Sequence, residues 1–205
     1  MKRAILISFV VLFQSFMVLA DDFNPSIFVS ESSDEVVVKH VLSNLQDVNR
    51  QYPPARETLL IAAVSDGRIE LARFLLENGA DPDISGWGGI SALRLAAGNG
   101  NHRLVKLLLD FNAEPNMRTN HLEPAIICTV CELNFSSAHN RNYNENALKV
   151  IDLLAPKTSI EKSDLSLPAR VIQREENPEL KLQQIKLLEI IKNRCYVPQK
   201  KSEQF

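Results

Sequence analysis

The sequence predicts an all-α solenoid of stacked helix–turn–helix units joined by short projecting loops. TLLIAAVSDGRIELARFLLENGADPD at 58–83 matches SALRLAAGNGNHRLVKLLLDFNAEPN at 91–116, position by position, at a separation of 33 residues. A fixed period of this size indicates units that cannot bury their apolar face alone and stack on neighbours instead. Within each copy, apolar residues recur at helical spacing.

Each copy is predicted to contain two helices. The first is short and narrow, because Leu60, Ala62, Ala63 and Val64 combine one large side chain with smaller ones, which let neighbouring units approach closely. The second carries a wide apolar stripe. In the two copies this stripe consists of Ile69, Leu71, Ala72, Leu75 and Leu76, and of Leu104, Val105, Leu107, Leu108 and Leu109.

The ends of these helices are predicted from glycine and asparagine. Gly67 and Gly100 lie where the chain must reverse between the two helices, and a left-handed backbone is least costly for glycine. Gly79 follows the second helix of the first copy, and Asn112 takes the same place in the second copy. Both residue types tolerate a left-handed helix cap.

The two copies resemble the ankyrin-repeat family. Its T-P-L-H-x-A opening is similar to TLLIAA at 58–63 and SALRLA at 91–96, and LLENGADPD at 75–83 resembles its usual ending. Both copies lack the proline of the opening and have Ile61 or Arg94 at the histidine position, which weakens the local turn bonding. The resemblance implies a scaffold that binds other proteins through a concave face, lined by the finger loops between units and the exposed side of the first helices.

The repeat pattern extends on both sides of these copies. EVVVKHVLSNLQDVN at 35–49 aligns with IELARFLLENGADPD at an offset of 34 and is interpreted as the second half of a capping repeat at 35–50. EPAIICTV and ALKVIDLLAP supply the two helices of a third unit, separated by a polar insert. We expect one domain at 35–195, with repeats at about 56–83, 89–116 and 122–159, the insert at 132–146, and a C-terminal cap at 165–194. Residues 21–34 are expected to be a linker and residues 196–205 a tail.

The amino terminus has the pattern of a secretory signal peptide. Lys2 and Arg3 precede 17 uncharged residues, and Val18 and Ala20 have the spacing of a small-residue cleavage site. We expect residues 1–20 to be removed and the protein to be periplasmic or secreted; the resemblance is compatible with either, since exported ankyrin-repeat proteins include envelope components and factors that act on host proteins. The alternative is a leader retained as a membrane anchor, although this segment is shorter than the ~20 residues of a typical span.

Composition and motifs favour binding over catalysis. The formal net charge is −2 and the only adjacent pair of cations outside the leader, Lys200 and Lys201, lies in the tail, so nucleic acid is not an expected partner. No metalloprotease, nucleophile-elbow or paired acidic motif occurs. We therefore expect a monomer that is not an enzyme and uses no cofactor.

The three cysteines leave several possibilities open. Cys128 and Cys131 form a CxxC, and with His121 and His139 they could make a zinc site. The simpler interpretation is that both cysteines pack as small apolar side chains in the first helix of the third unit. A disulfide from Cys195 to either of them is a further possibility.

Candidate contacts to a partner lie mainly in the fingers. Trp87 is at the tip of ISGWGGI, where it is either a binding anchor or folded back onto the neighbouring finger. The other candidates in the fingers and first helices are Arg94, Arg118, Asn120, His121 and Tyr52, with Tyr52 expected to complete a strip with Trp87 and Arg118.

A competing site is the insert, where Phe135 and Tyr143 are aromatic residues in a polar loop. The sequence thus predicts an exported, non-catalytic scaffold that binds a protein through its fingers. The alternatives are an envelope protein that supports or protects a neighbouring enzyme, and a metal or redox protein that uses Cys128 and Cys131.

Overall fold

The computed structural model describes residues 24–43, 48–118, 123–131 and 143–195. These ranges contain ten α-helices and no extended strand, which confirms the predicted all-α solenoid. The helices are α1 Pro25–Glu31, α2 Asp34–Ser43, α3 Leu59–Ser65, α4 Ile69–Glu77, α5 Ala92–Gly98, α6 His102–Asp110, α7 Ala125–Cys131, α8 Tyr143–Leu154, α9 Ser166–Arg174 and α10 Pro178–Cys195. Short 3-10 turns occur at Trp87–Gly89, Ala155–Lys157 and Ser163–Leu165.

The helices form two layers that run along the stack. The first helices α1, α3, α5, α7 and α9 contact one another in that order, and so do the second helices α2, α4, α6, α8 and α10. Leu75 on α4 and Leu108 on α6 are both fully buried and occupy equivalent places in adjoining units. The apolar core is therefore continuous from one helix pair to the next, as the 33-residue period predicts.

Local bonding explains where the helices begin. The Thr58 hydroxyl accepts a hydrogen bond from the Ile61 N–H at 3.2 Å, and the Ser91 hydroxyl accepts one from the Arg94 N–H at 3.4 Å. Both hydroxyl residues are buried, so each cap satisfies two polar groups that water does not reach.

The predicted chain reversals are confirmed. Gly67 and Gly100 have φ values of 72° and 65°, and Gly79 and Asn112 have values of 90° and 63°. All four lie in the left-handed region that glycine and asparagine adopt most easily.

A repeated polar contact joins each unit to the next. Oδ1 of Asn49 accepts from the Asp81 N–H at 2.7 Å, a carboxylate oxygen of Asp83 accepts from the Glu114 N–H at 2.9 Å, and Oδ1 of Asn116 accepts from the Ser159 N–H at 3.0 Å. The three accepting side chains occupy the same position at the end of successive units. This ladder fixes the register in which the loops of neighbouring units stack.

The sequence predicts a linker at 21–34. This prediction is wrong for residues 25–31, which form helix α1. Asn24 caps this helix, Phe28 and Val29 are buried, and α1 packs against α3. Arg68 holds the helix in place by donating to the carbonyls of Val29 and Ser32 and pairing with Asp34. The amino-terminal unit is therefore a complete helix pair and not the second half of one.

The third unit also differs from its predicted bounds. Helix α8 begins at Tyr143, so the insert does not extend to 146, and Tyr143 is a helical residue and not part of a loop. Glu145 and Lys149 form an i,i+4 ion pair at 3.2 Å in the first turns of this helix. Residues 132–142 lie outside the described residues. The predicted C-terminal cap contains α9 and most of α10.

We predict that Asp83→Asn leaves stability unchanged or raises it at pH 7, whereas Asp83→Ala lowers it by about 1 kcal/mol. Burial raises the pKa of Asp83, the hydrogen bond from the Glu114 N–H opposes this, and the charges of Asp81 and Glu114 add to the rise. Ionised Asp83 is therefore less favourable in the folded state than in the unfolded state, so its contribution to stability falls as pH rises through its pKa. Asparagine keeps the accepting oxygen without the charge.

Urea unfolding of the wild type, Asp83→Asn and Asp83→Ala measures their stabilities at pH 7 and at about pH 3.5, which is below the ordinary Asp pKa of ~3.9. Any gain in stability of Asp83→Asn over the wild type should disappear at the lower pH. A destabilisation by Asn equal to that by Ala would contradict the role of the accepting oxygen.

Candidate functional site

The candidate site is built on the fingers, which are the loops 48–57, 81–91 and 114–124. An antiparallel bridge between Tyr52 and Glu57 closes the first finger, and one between Ser85 and Ser91 closes the second. In the second finger the Gly86 N–H also donates to the Ile90 carbonyl at 2.9 Å. These bonds give the first and second fingers a defined shape, although neither contains a long strand.

The first and second fingers bind each other directly. The Gln51 side chain donates to the Ser85 carbonyl at 2.7 Å, and the Trp87 N–H donates to the Ala55 carbonyl at 2.7 Å. The fingers approach closely at Gly86, where a Cβ atom would lie 3.3 Å from the Ala55 oxygen. The position of the Trp87 backbone is therefore set by two fingers and not by one flexible loop.

Trp87 itself is exposed. Its relative accessibility is 76%, and Ile90 in the same finger is exposed to 40%. Gly88 and Gly89 follow with φ values of 71° and 79°, which turn the chain immediately after the indole. The alternative in which the indole folds back onto the neighbouring finger does not occur in this structure.

Tyr52 does not belong to a contact surface. Its relative accessibility is only 7%, and the guanidinium carbon of Arg50 lies 5.3 Å from the centre of its ring. The ring thus fills the base of the first finger beneath a cation. The predicted strip of Tyr52, Trp87 and Arg118 is wrong, because its aromatic member at one end is buried.

Arg94 and Arg118 hold the protein together internally. Arg94 is half-buried and donates to the carbonyl of Glu123, which joins α5 to the end of the third finger. Arg118 donates to both carboxylate oxygens of Asp164, with a distance of 2.8 Å from Nη2 to Oδ2. This second contact joins the third finger to the turn before α9. Asn120 and His121 lie outside the described residues.

The Arg118–Asp164 ion pair is buried on its acidic side. The Asp164 side chain is 3% exposed and that of Arg118 is 37% exposed. Burial alone raises the pKa of Asp164, but hydrogen bonds from Arg118 and from the Glu161 N–H, the latter at 2.7 Å, outweigh burial and lower the pKa below its ordinary value. Asp164 therefore remains ionised in the folded protein.

The cysteines lie in packed positions. Cys128 is buried and Cys131 half-buried on α7. Cys195 is a free thiol, so the structure contains no disulfide from it to the CxxC. Its Sγ lies 3.9 Å from the Ala155 carbonyl oxygen, and burial raises the pKa of this thiol. Within the described ranges, no three His, Cys, Asp or Glu side chains are placed to hold a metal ion. His121, His139 and Phe135 lie outside these ranges.

A second candidate surface lies on the layer formed by the second helices. A cavity of about 660 Å³ opens between α4, α6 and α8, with Arg103 and Lys106 of α6 among its lining residues. In the sequence each of these cations is indistinguishable from the solvated face of a helix. Only the stacking of three second helices brings them into one groove.

Comparison with known proteins agrees with the repeats and their geometry. The family model for ankyrin repeats, in three copies, matches residues 27–129. This chain belongs to the ankyrin-repeat family. The match begins inside α1, in agreement with the complete helix pair at the amino terminus.

Two curated relatives share part of the chain. A putative ankyrin repeat-containing protein of Treponema pallidum (strain Nichols) is 34% identical over 90 residues, which is 44% of this chain and 30% of that protein. The human ankyrin repeat and MYND domain-containing protein 1 is 35% identical over 85 residues, 42% of this chain and 9% of that protein. The matched segment therefore spans less than a third of the length of either relative.

A solved structure has the same fold. The crystal structure of the ankyrin repeat protein EF0377 superposes with a TM-score of 0.53 at 19% identity, covering 77% of each chain. Ankyrin repeats generally mediate protein–protein interaction, and the family typically consists of non-catalytic scaffolds. None of the described helices is long and apolar enough to cross a membrane.

We predict that Arg118→Ala lowers the free energy of unfolding at pH 7 by roughly 1–3 kcal/mol, because it leaves a buried carboxylate without its charged donor. The lowered pKa of Asp164 means that this stabilisation is complete above the unfolded-state pKa of about 3.9 and is lost as pH falls through the folded-state pKa. The difference in the free energy of unfolding between the wild type and Arg118→Ala should therefore become smaller in acid.

Chemical unfolding of both proteins from pH 7 downwards checks this prediction. Lys149→Ala is the control, because its ion pair with Glu145 is solvent-exposed and should contribute little at any pH. A gap between wild type and Arg118→Ala that stays constant into acid would contradict the assigned ion pair.

Proposed function

We propose that this protein is an exported, non-catalytic ankyrin-repeat scaffold that binds another protein through its finger surface, with Trp87 as the central contact. The observation that supports this most directly is the contrast between the exposed indole, at 76%, and its fixed backbone, bonded to Ala55 in the neighbouring finger. A large apolar side chain exposed on a fixed backbone is costly for a monomer and favourable for an interface.

The free energy gained by covering its apolar surface favours Trp87 over its neighbours as the central contact. Covering an indole removes on the order of 150 Å² of apolar surface from water, worth about 4 kcal/mol. The exposed residues Pro53 and Pro54 of the first finger and Ile90 of the second lie in the same pair of loops and can extend the apolar contact. Because the two fingers are already bonded to each other, little conformational entropy remains to be lost on binding.

Export is proposed from the amino-terminal sequence alone. Lys2 and Arg3, the uncharged run that follows and the small residues before Asp21 together have the features of a cleaved leader. The mature protein is then periplasmic or secreted, and the proposed partner is a protein of the same compartment or of a host. The net charge of −2 and the absence of a basic run in the sequence favour a protein partner over nucleic acid.

We predict that Trp87→Ala weakens partner binding by at least tenfold and leaves thermal stability unchanged, because the indole contributes contact area but little to the core. Proteins captured by the processed chain from envelope extract and from host-cell extract are identified first, and the affinity of each purified candidate is then measured with both forms of the bait.

Leu182→Ala is the matched control, since Leu182 is 51% exposed on α10, far along the stack from the second finger. If a partner binds Trp87→Ala as tightly as it binds the wild type, the fingers are not its binding site. Loss of binding in both variants would indicate non-specific apolar capture.

We predict that the protein recovered from cells begins at Asp21. Intact-mass measurement on the extracellular and envelope fractions gives the amino terminus directly. Recovery of the full chain from the membrane fraction would support the retained anchor instead, and recovery of the full chain from the cytoplasm would exclude export.

A further inference from the structure

The cavity between α4, α6 and α8, here called the second-helix groove, lies on the layer formed by the second helices. Its apolar residues are Ile69 of α4, Leu107 of α6 and Leu153 of α8. Leu107 is 3% exposed, and the other two are partly buried against the core. The groove therefore has an apolar floor supplied by three successive units.

The rim of the groove is charged and carries more positive than negative groups. The cations are Arg73, Arg103, Lys106 and Lys149, and the carboxylates are Glu70, Asp110 and Asp152. Two of the carboxylates already have partners, since Glu70 lies 3.8 Å from Arg73 and Asp152 pairs with Arg194 outside the rim.

Arg103 and Lys106 provide the excess positive charge. Within the described parts of the chain, neither has a carboxylate at ion-pairing distance. They lie three residues apart on α6, between the walls formed by α4 and α8. Asp110, one turn after Lys106 on the same helix, is the remaining carboxylate of the rim, so among the described residues the groove has two unpaired cations and one unpaired carboxylate beside an apolar floor. Such a surface complements a negatively charged, partly apolar partner.

The pKa of His102, which also lines the groove, is affected by the same cations. Burial lowers its pKa first, and the positive charges of Lys149 on α8 and Arg103 on its own helix lower it further, against a weaker opposing effect of Glu145. Glu70 and Arg73, which line the groove from α4, largely neutralise each other. The charged side chains of the groove thus carry one more positive than negative charge, although the net charge of the whole chain is −2.

We infer that the second-helix groove is a docking site for an acidic amphipathic helix of a partner protein, separate from the finger surface. Apolar residues at i, i+3 or i+4 and i+7 of such a helix would contact Ile69, Leu107 and Leu153. Its glutamates or aspartates would pair with Arg103 and Lys106. The groove lies on the layer opposite the first helices, so one chain can hold two partners at the same time.

The same residues disfavour a nucleic acid. A polyanionic backbone requires a continuous run of cations, whereas Glu70, Asp110 and Asp152 interrupt the rim of this groove. An apolar floor adds nothing to the binding of a phosphate backbone, but it does add to the binding of a helix with an apolar stripe. Discrete carboxylates on a helix can be placed opposite the two cations and away from the acidic residues.

The test uses the processed protein and a synthetic helical peptide of about four turns, with leucines at i, i+3, i+4 and i+7 and glutamates on the flanking positions. Affinity is measured by fluorescence anisotropy, and the imidazole pKa of His102 is measured by NMR with and without peptide. His102→Gln identifies the histidine signal. A peptide with glutamine at every glutamate, and a duplex oligonucleotide of similar charge, are the comparison ligands.

We expect Arg103→Glu/Lys106→Glu to weaken binding of the acidic peptide by at least tenfold. Arg170→Glu/Lys186→Glu reverses the same number of exposed charges on α9 and α10 and should have little effect. The glutamine peptide should bind more weakly, and the acidic peptide should raise the pKa of His102. Trp87→Ala should bind this peptide normally, which separates this site from the fingers.

Three results would overturn the inference: no saturable binding of the acidic peptide, equal weakening by both double variants, or preferential binding of the oligonucleotide. Equal affinity for the glutamate and glutamine peptides would also overturn it, because the contact would then be apolar only. None of these results would affect the proposal for Trp87.

Discussion

The structure depends on the apolar seam between neighbouring helix pairs. Leu60 and Leu93 on the first helices, and Leu75 and Leu108 on the second helices, are all essentially buried, each between its own unit and the adjacent ones. A single pair would expose the part of this surface that faces its neighbours, so we expect no unit to be stable alone. The same constraint requires a helix pair at each end of the stack, and α1–α2 and α9–α10 fulfil it.

Polar contacts determine how the stacked units are aligned. Side chains of Asn49, Asp83 and Asn116 accept backbone N–H groups from the following unit, so that each loop is fixed to the next. An apolar seam is tolerant of small shifts, whereas a hydrogen bond of about 3 Å is not. The exposed position of Trp87 is a consequence of this alignment, because its finger is bonded to the preceding one.

The arginines show how residue type alone can mislead. Arg68, Arg94 and Arg118 look like surface residues in the sequence, yet each donates to groups that are distant along the chain. Arg68 and Arg118 stabilise the two less regular ends of the solenoid. Arg103 and Lys106, which look the same in the sequence, are the cations without an ion pair in the described groove. The two proposed binding surfaces therefore lie on different parts of the stack, one on the finger loops and one on the second helices.

The sequence by itself determined the repeat, the helix pairs of the central units, and the left-handed turns at Gly67 and Gly100. These features arise from local periodicity and backbone preference, which act over a few residues. The sequence left open whether Trp87 is exposed or folded back onto the neighbouring finger. It did not reveal α1, because PSIFVSE lacks the repeated opening and its place in the fold comes from packing on α3.

Only the tertiary structure decided which polar residues are internal. Arg118 is paired with Asp164, 46 positions away, and the second-helix groove requires three units side by side. Tyr52 is buried at the base of the first finger. Burial and ion pairing depend on which distant residues meet, and a repeat pattern specifies the stacking of its units but not the partners of each exposed side chain.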